Sequence, residues 1–438
     1  MPNPLAAPAL ATLLALPAAS APPKPSPALA PLNAAYPDLE RLYIDLHQSP
    51  ELSLHEEKTS AKIADRLRAL GYEVTDHVGG FGVVGVMRNG KGPTVLLRAD
   101  MDALPIEERT GLPYASKVTA KDASGATVPV MHACGHDIHM TSLVGAATLL
   151  AKAKSRWKGT VVLVGQPAEE LGGGASRMLK DRFMERFPKP DYAISLHDDA
   201  RLPAGEVGFT PGYMWANVDS VDITVYGRGG HGARPEGTVD PIVIAARIVT
   251  ALQTIVAREN SPFDPAVVTV GSIHGGTKHN IIPDEVKMQL TVRSYEPAVR
   301  KKLLAAIERV AKAEAAAGAA PREPLVVVDA DGGDAVYNDP ALTRRVAGAI
   351  AAVLGASNVR EMPRVMAGED FGEWGVAAKC PSTDLWLGAT PPAKLAAVGG
   401  DATKVPGIHS SEFAPDREPT IKTGAAALTL AALEVLGK

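Results

Sequence analysis

A nine-residue stretch, MHACGHDIH at positions 131–139, carries side chains that could bind a metal. It places Cys134 and His136 one residue apart, beside two further histidines, in a chain with only two cysteines and eleven histidines. Thiolates and imidazoles are the ligands that zinc and similar borderline metals prefer. A lone cysteine or histidine is more often a packing residue, but a Cys-Gly-His in a histidine-rich loop favours a metal site.

Other residues could complete this site. Glu169 and Glu170 follow the apolar run GTVVLVGQ, His197 ends another apolar run, and His409 precedes the last predicted helix. Each is weak evidence alone, since paired glutamates are usually solvated and a histidine at a strand end is often only hydrogen-bonded. Added to the Cys-Gly-His, Glu170 and the two histidines make five ligands. Because one catalytic zinc usually takes three protein ligands, five suit two neighbouring metals with a shared ligand.

The elements that must position these residues alternate between strand and helix. Apolar runs such as TVLLRAD and GTVVLVGQ end in polar residues, and HMTSLVGAATLLAKAKSRW between them is typical of a helix. Continuous apolar strands separated by helices indicate a mostly parallel sheet covered on both faces. The sequence therefore predicts an α/β catalytic domain, formed by residues 35–216 and 332–438.

Residues 217–331 follow a different order of elements. Strand, helix, strand, strand, helix and strand occur in turn, which is the βαββαβ order of a small ferredoxin-like α+β domain. We predict that this unit is inserted into the catalytic domain and serves as a lid and dimerisation domain.

The first 34 residues are nearly all Ala, Pro and Leu, and their prolines argue against a membrane-spanning helix. Ala19-Ser20-Ala21 has the form of a secretory cleavage site, although no basic residue precedes Lys24. Two interpretations stay open: an export signal with a Pro-rich spacer on a periplasmic or secreted enzyme, or a disordered tail on a cytoplasmic one. A net charge of −4 provides no basic field for nucleic acid, and two cysteines exclude a disulfide framework.

Seven motifs occur along the chain in a fixed order: LRADMDALP, MHACGHDIHM, QPAEE, GRGGHGARP, HNIIPD, TVRS and AGEDF. From about residue 36 onward, the chain resembles the co-catalytic metallo-amidohydrolase family of aminoacylases and carboxypeptidase G, in particular its hippurate and indoleacetyl-amino-acid hydrolases. The resemblance implies metal-dependent hydrolysis of N-acyl or N-aroyl amino acids. The alternatives are a dipeptidase or carboxypeptidase with the same machinery and a binding protein that keeps the metals without catalysis, which an intact Glu169 disfavours.

The resemblance also implies two divalent ions, which are zinc or manganese, with cobalt and nickel as options. The ligands it implies are Cys134, His136, Glu170, His197 and His409, with a bridging Cys134 thiolate. Related branches carry a histidine ligand where this chain has Arg98. Asp100 is then expected to orient a ligand histidine and raise its basicity.

The remaining roles concern water and substrate. Glu169 is expected to be the general base, and His231 to stabilise the oxyanion, often from a partner subunit. Asn280 and Arg293 are expected to hold the substrate, Arg293 through its carboxylate, and Glu369 of AGEDF to support the binding pocket. These roles predict a small-molecule substrate and a homodimer or higher oligomer, with His231 acting within one chain or across two.

Two segments depart from the pattern of the family. DDARLPAG after His197 is longer than the usual His-x-x-Pro, and SSEF after His409 replaces Ser-Pro-x-Phe. Both leave the ligand histidines in place, so we expect a changed pocket wall and unchanged chemistry.

Overall fold

A computed structural model of the chain describes residues 25–329 and 333–437. The helices of this part are, in order, α1 (Leu32–Gln48), α2 (Glu57–Ala69), α3 (His136–Lys152), α4 (Gly174–Lys180), α5 (Phe183–Arg186), α6 (Pro241–Thr254), α7 (Pro297–Ala317), α8 (Pro340–Leu354), α9 (Gly372–Ala378), α10 (Pro392–Ala397) and α11 (Arg417–Val435). The strands are β1 (Glu73–Val78), β2 (Gly82–Asn89), β3 (Thr94–Asp100), β4 (Thr119–Lys121), β5 (Thr127–Pro129), β6 (Gly159–Gln166), β7 (Tyr192–Pro203), β8 (Val207–Phe209), β9 (Gly212–Trp215), β10 (Asn217–Tyr226), β11 (Gly230–His231), β12 (Ala266–His274), β13 (Ile281–Ile282), β14 (Glu285–Ser294), β15 (Leu325–Val328), β16 (Val336–Asn338), β17 (Val359–Glu361) and β18 (Ser382–Thr390).

The large sheet has the strand order β1-β2-β6-β3-β7-β18-β8-β17. Its four central strands, β6, β3, β7 and β18, are parallel, while β1, β2 and β8 pair antiparallel nearer the edges. The central strands are almost entirely buried. Their sequences are continuous apolar runs because both faces of the sheet are covered. The predicted mostly parallel α/β sheet is confirmed.

Helices cover this sheet through two apolar clusters, one on each face. The first contains side chains of α1, α2, α3, α8 and α11, and the second those of α4, α5 and α9. α3 is buried nearly all round because it lies between the sheet, α1 and α11. Since α3 begins at His136, the Cys-Gly-His motif is attached to one of the most deeply buried helices of the core.

The smaller sheet has the order β12-β14-β10-β15 and is antiparallel throughout. α6 and α7 pack on one face, and buried and exposed residues alternate along β14 because the other face is open. The predicted βαββαβ order and ferredoxin-like arrangement are confirmed. The unit runs from Asn217 to Val328, and its predicted end at residue 331 lies outside the described residues, in 330–332.

Within the described residues, one helix, Pro241–Glu259, is long and apolar enough to cross a membrane by length and composition alone. It consists of α6 and one further turn. Ile244, Ile248 and Leu252 on this helix are buried in the core of the small sheet, so its apolar face has a partner inside the protein.

The predicted leader overlaps the fold. Residues 1–24 lie outside the described part of the chain, but α1 already begins at Leu32, and Ala28 in the preceding turn is buried. That turn contacts α3 and α11. The predicted boundary at residue 34 is therefore too late, because an Ala- and Pro-rich segment with the composition of a spacer also packs well against helices.

Candidate active site

The five predicted ligands come from separate parts of the chain that meet beyond the large sheet. Glu170 follows β6, and His197 lies in β7. Cys134 and His136 stand at the start of α3, and His409 lies in the loop before α11. Because the carboxyl ends of parallel strands lie at one edge of a sheet, residues distant in sequence converge there.

All five side chains form one cluster. Cys134 Sγ lies 3.5 Å from His197 Nε2 and 3.2 Å from His409 Nε2. Glu170 Oε1 lies 3.4 Å from His409 Nε2 and 3.9 Å from His136 Nε2. Two groups of ligand atoms, each within 4.8 Å, contain the thiol: Cys134, His136 and His197 in one, and Cys134, Glu170 and His409 in the other. This arrangement fits two ions that share the sulfur.

Buried ligand atoms without hydrogen-bond partners and a buried thiol also fit the binding of two cations. His136 Nε2 and Glu170 Oε1 are buried and have no hydrogen-bond partner among the described residues, although buried polar atoms almost always have one. Burial and the nearby carboxylates of Glu170 and Glu169 raise the pKa of the Cys134 thiol well above its usual value. A thiolate in these surroundings therefore requires positive charge, and divalent ions at this donor set supply it.

The backbone around the ligands adopts geometry that few residues tolerate. Gly135 has φ +73°, and a Cβ there would lie 1.9 Å from Asp198 Oδ2. His409 and Ala168, which precedes the glutamate pair, are non-glycine residues with φ of +64° and +54°. Such strain persists where the surroundings hold it, typically at functional sites. Gly135 is thus required for Cys134 and His136, at the start of α3, to reach the same ligand cluster.

Asp102 orients two of the ligands. Its backbone carbonyl oxygen lies 2.8 Å from His136 Nδ1, and its Oδ2 accepts hydrogen bonds from the Glu170 backbone N–H at 3.0 Å and from Ser53 Oγ at 2.6 Å. Its contacts correspond to the orienting role, since they fix which His136 nitrogen faces the cluster.

Asp100 contacts a different histidine from the one expected. Its Oδ1 lies 2.6 Å from Nδ1 of His139, which is not one of the five ligands, and its Oδ2 lies 3.7 Å from His136 Nε2. His139 in turn accepts the backbone N–H of Asp198 at 2.9 Å, next to the ligand His197. Sequence reasoning missed His139 and Asp198. The available signal was the three-residue spacing from His136 to His139, which puts both on one face of α3.

Arg98 occupies the centre of a buried acidic cluster. It donates hydrogen bonds to Asp100 Oδ2 at 2.7 Å, to Glu369 Oε1 at 2.9 Å and to Asp370 Oδ1 at 2.9 Å. Glu369 Oε2 accepts a further bond from Arg98 at 3.2 Å. Glu369 therefore borders the cavity with both oxygens already engaged, which suits support of the pocket wall better than direct contact with substrate.

Glu169 is the expected general base. It lies beside the ligands but belongs to neither of the two ligand groups that contain Cys134. Its Oε2 is 3.8 Å from His136 Nε2. Burial, followed by the charges of Glu369 and Glu170, raises the pKa of Glu169 well above its usual value. A carboxylate held close to a metal site with raised basicity can accept a proton from a nearby water.

A cavity of about 580 Å³ opens over the cluster and is lined by Cys134, Glu169, His197, Trp215 and Arg293, among others. Arg293 comes from β14 of the small sheet, so the two domains share this cavity. It is partly buried, and its Nε donates to a neighbouring threonine hydroxyl at 3.0 Å. The structure thus brings Arg293 to the predicted metal ligands.

His231 and Asn280 are not among the residues that line this cavity. His231 ends β11 and Asn280 directly precedes β13 in a two-stranded ribbon, where the Gly232 N–H donates to the Asn280 carbonyl at 2.9 Å. Both side chains are exposed. The structure therefore places these residues in neighbouring segments of one ribbon, and neither lines the cavity over the ligand cluster.

Comparison with known proteins agrees with this geometry. Residues 96–397 match the model of peptidase family M20/M25/M40. Thermostable carboxypeptidase 1 of Saccharolobus solfataricus is 38% identical over 90% of this chain and 94% of its own length. The hippurate hydrolase of Campylobacter jejuni is 41% identical over 60% of this chain and 66% of its own. A solved Bacillus subtilis structure, described as a dinuclear metal binding peptidase from the M20 family, is 30% identical with a TM-score of 0.73, covering 92% of this chain and all of that one.

Proposed function

The chain belongs to peptidase family M20/M25/M40 and is a metal-dependent enzyme that hydrolyses amides. On this premise, we propose that its substrates are N-acyl amino acids. The products are a carboxylic acid and a free amino acid. The observation that carries the proposal is the shared position of Cys134 in two ligand groups, with Glu169 beside them and Arg293 in the same cavity. Such a site can activate a water and bind a substrate carboxylate at once.

The five clustered side chains would hold the two ions, which we propose are zinc or manganese, with cobalt and nickel as alternatives for this mixed donor set. When bound, the ions polarise the amide carbonyl and lower the pKa of a water. Glu169 would accept a proton from the attacking water and deliver it to the leaving nitrogen. Its raised basicity and its place beside His136 support both transfers.

Arg293 determines the orientation of the substrate in this proposal. Its planar guanidinium can bind a carboxylate with two parallel hydrogen bonds. A substrate held by its α-carboxylate at Arg293 has its amide near the ligand cluster. This assignment restricts the leaving group to an amino acid with a free carboxylate.

We propose that His231 and Asn280 complete the site from a partner subunit in a homodimer. Both residues are exposed, and neither lines the cavity of the same chain. His231 would donate a hydrogen bond to the oxyanion, and Asn280 would contact the scissile amide. Closure of the inserted unit within one chain is the alternative.

A carboxypeptidase is the second candidate, because the carboxypeptidase of Saccharolobus solfataricus matches nearly the whole chain. A free-amine dipeptide and an N-acyl amino acid with the same leaving residue distinguish the two. We expect metal-loaded protein to hydrolyse N-acyl alanine, to lose this activity with a chelator and to regain it with zinc or manganese. Faster hydrolysis of alanyl-alanine than of every N-acyl alanine would favour a dipeptidase or carboxypeptidase, and no chelator-sensitive hydrolysis of either would refute an amidohydrolase.

A further inference from the structure

Glu56 lies directly before α2, but its side chain does not cap that helix. Glu51 does so instead, because its two carboxylate oxygens accept the backbone N–H groups of Lys58 at 3.3 Å and of Thr59 at 2.8 Å, in the first turn of the helix. Glu56 is nevertheless fully buried, and burial of a carboxylate is costly unless other groups bind it. The side chain of Glu56 therefore serves another part of the fold.

One oxygen of Glu56 accepts two backbone N–H groups. Its Oε1 lies 3.0 Å from the nitrogen of Leu54 and 2.8 Å from that of Ala168, which is 112 residues further along the chain. Both donors are non-glycine residues in the left-handed region, with φ of +67° and +54°. Such backbone persists only where the surrounding structure fixes it, and Glu56 Oε1 supplies a fixing contact to both residues.

The chain is held directly before and directly after Glu169. Glu56 accepts the N–H of Ala168, the residue before the proposed base, and Asp102 Oδ2 accepts the N–H of Glu170, the residue after it, at 3.0 Å. Ala168 is fully buried, so its N–H has no access to water in place of Glu56. Two carboxylates thus fix the backbone that carries the base.

The side chain of Glu169 depends on this backbone for its orientation. Its Oε2 lies 3.8 Å from His136 Nε2, which is beyond hydrogen-bond distance. A base must lie close to the proton it accepts, and a displacement of about 1 Å can lower a rate by about 100-fold. Loss of the contact at Ala168 would therefore affect proton transfer before it affects the fold.

From these contacts we propose that Glu56 is a positioning residue for the base: by accepting the N–H of Ala168, it keeps Glu169 directed at the ligand cluster. The inference rests on the proposed function, in which Glu169 is the base. Glu56 does not line the cavity over the cluster, so it acts through the loop and not by touching substrate. Its other oxygen, Oε2, is buried without a hydrogen-bond partner among the described residues. A glutamine can therefore keep the hydrogen bonds that Oε1 accepts.

Three variants separate this role from a general effect on folding. Glu56→Met keeps the length of the side chain but removes the acceptor, whereas Glu56→Gln keeps an acceptor oxygen. Glu51→Met is the matched control, because Glu51 also accepts two backbone N–H groups, but both belong to α2. The measured quantities are kcat and KM for an N-acyl alanine, bound metal, the midpoint of unfolding in urea, and amide hydrogen exchange in peptides that cover residues 167–171 of the metal-loaded enzyme.

We expect Glu56→Met to lose kcat by about 10- to 100-fold, the typical effect of removing a partner that orients a site. Its KM should stay near the wild-type value, and two ions should stay bound because Asp102 still holds Glu170. Exchange at 167–171 should become faster in this variant alone. Glu56→Gln should keep most of kcat, and Glu51→Met should keep all of it although its unfolding midpoint falls.

An unchanged kcat in Glu56→Met overturns the proposal. So does an equal loss in Glu56→Gln, because the charge and not the accepted hydrogen bond would then matter. Loss of metal from folded Glu56→Met also overturns it, since Glu56 would then support the ligand Glu170 instead of the base. If Glu56→Met does not fold, Glu56→Ala, which removes the acceptor without filling the site, takes its place.

The exchange measurement separates this proposal from the proposed function. If the wild-type enzyme hydrolyses no amide, or if metal-replete Glu169→Gln is as active as the wild type, the proposed function or its base fails. Exchange at 167–171 then decides by itself whether Glu56 holds the loop. If Glu169→Gln is slow while Glu56→Met is as fast as the wild type, only the positioning role of Glu56 fails.

Discussion

The ligand cluster and the β11–β13 ribbon differ in how far their functional side chains are buried. The cluster carries the proposed metal ligands, and the ribbon carries the residues proposed to contact the substrate. Cys134, His136 and His197 are at most 4% exposed, and buried partners fix their orientation. His231 and Asn280 are exposed, and the contact recorded for the His231 ring is with the N–H of Ala233, two residues along the chain. Three of the five ligands are thus built into the core, whereas the ligand His409 is about half exposed in its loop, and the groups expected to meet the substrate stand on a surface element.

This difference has an energetic origin. Carboxylates and a thiol buried together repel one another until cations bind, so metal binding and the stability of the cluster are linked. The ribbon carries no such buried charge and can form without metal. Removing a residue from the cluster should therefore affect metal content, stability and activity together, whereas removing one from the ribbon should affect activity alone.

The largest effect is expected for Cys134→Ala, because both ligand groups lose their shared donor. We expect fewer than two bound ions per chain by elemental analysis and no measurable amide hydrolysis. Cys380→Ala is the matched control, since Cys380 is the other cysteine and lies outside the cluster. Full metal content and activity in Cys134→Ala would show that the sulfur is not a ligand and would remove the contrast between core and ribbon.

Glu169→Gln should separate catalysis from metal binding within the cluster. We expect turnover to fall by about 10²- to 10⁴-fold, the typical contribution of a general base, while two ions stay bound. Glu170→Gln is the comparison, because the loss of a ligand oxygen should lower metal content as well. Activity near that of the wild type in metal-replete Glu169→Gln would refute its role as the base.

The parts that could be predicted from sequence depend on local patterns. Continuous apolar runs indicated the parallel strands, the Cys-Gly-His in a histidine-rich loop indicated Cys134, and residue type at the ends of apolar runs indicated Glu170 and His197. The buried network could not be predicted in the same way, because its partners are remote: Arg98 and Glu369 are 271 residues apart. Their pairing depends on how β3 and the loop before α9 pack, which no local pattern encodes.

The location of His231 shows the same limit at a larger scale. The resemblance implied that His231 acts in the active site, but whether it reaches one depends on the placement of the inserted unit or on a second subunit. The walls of the cavities depend likewise on long-range packing. DDARLPAG was expected to alter a pocket wall, and four of its residues line a smaller cavity beside the first.

His231→Ala tests the ribbon half of the comparison. We expect metal content and stability to stay at wild-type levels while kcat falls about 10²- to 10³-fold, because loss of one oxyanion donor typically costs about 3–4 kcal/mol of barrier. His274→Ala is the control, as His274 is also exposed on the small sheet.

Mixing His231→Ala with Cys134→Ala then determines which chain supplies the histidine. If it acts across two subunits, some mixed dimers combine an intact cluster with an intact His231, and part of the activity returns. Absence of rescue in mixtures shown to contain mixed dimers would favour closure within one chain.

The smallest effect on turnover is expected behind the cluster, at His47. The next residue after the ligand His136, Asp137, faces the interior and lies 2.6 Å from His47 Nδ1, while Glu108 lies 3.1 Å from His47 Nε2. Burial alone would lower the pKa of His47, but hydrogen bonds to these two carboxylates raise it to about 10. At neutral pH a buried imidazolium therefore ties the end of α1 to the start of α3.

Because this pKa is higher in the folded than in the unfolded chain, where it is about 6.5, the stabilisation is complete below about pH 6.5 and is lost as pH rises through 10. We expect His47→Gln to lower the free energy of unfolding by on the order of 3 kcal/mol near pH 6, with a smaller difference from wild type at pH 10, and to change kcat by less than about threefold. Urea titrations of the metal-loaded proteins at pH 6, 8 and 10 measure this difference. If the loss of unfolding free energy in His47→Gln stays constant over this range, His47 contributes by packing and not by its charge. A large loss of turnover at unchanged metal content would extend the active site to a residue well behind the ligands.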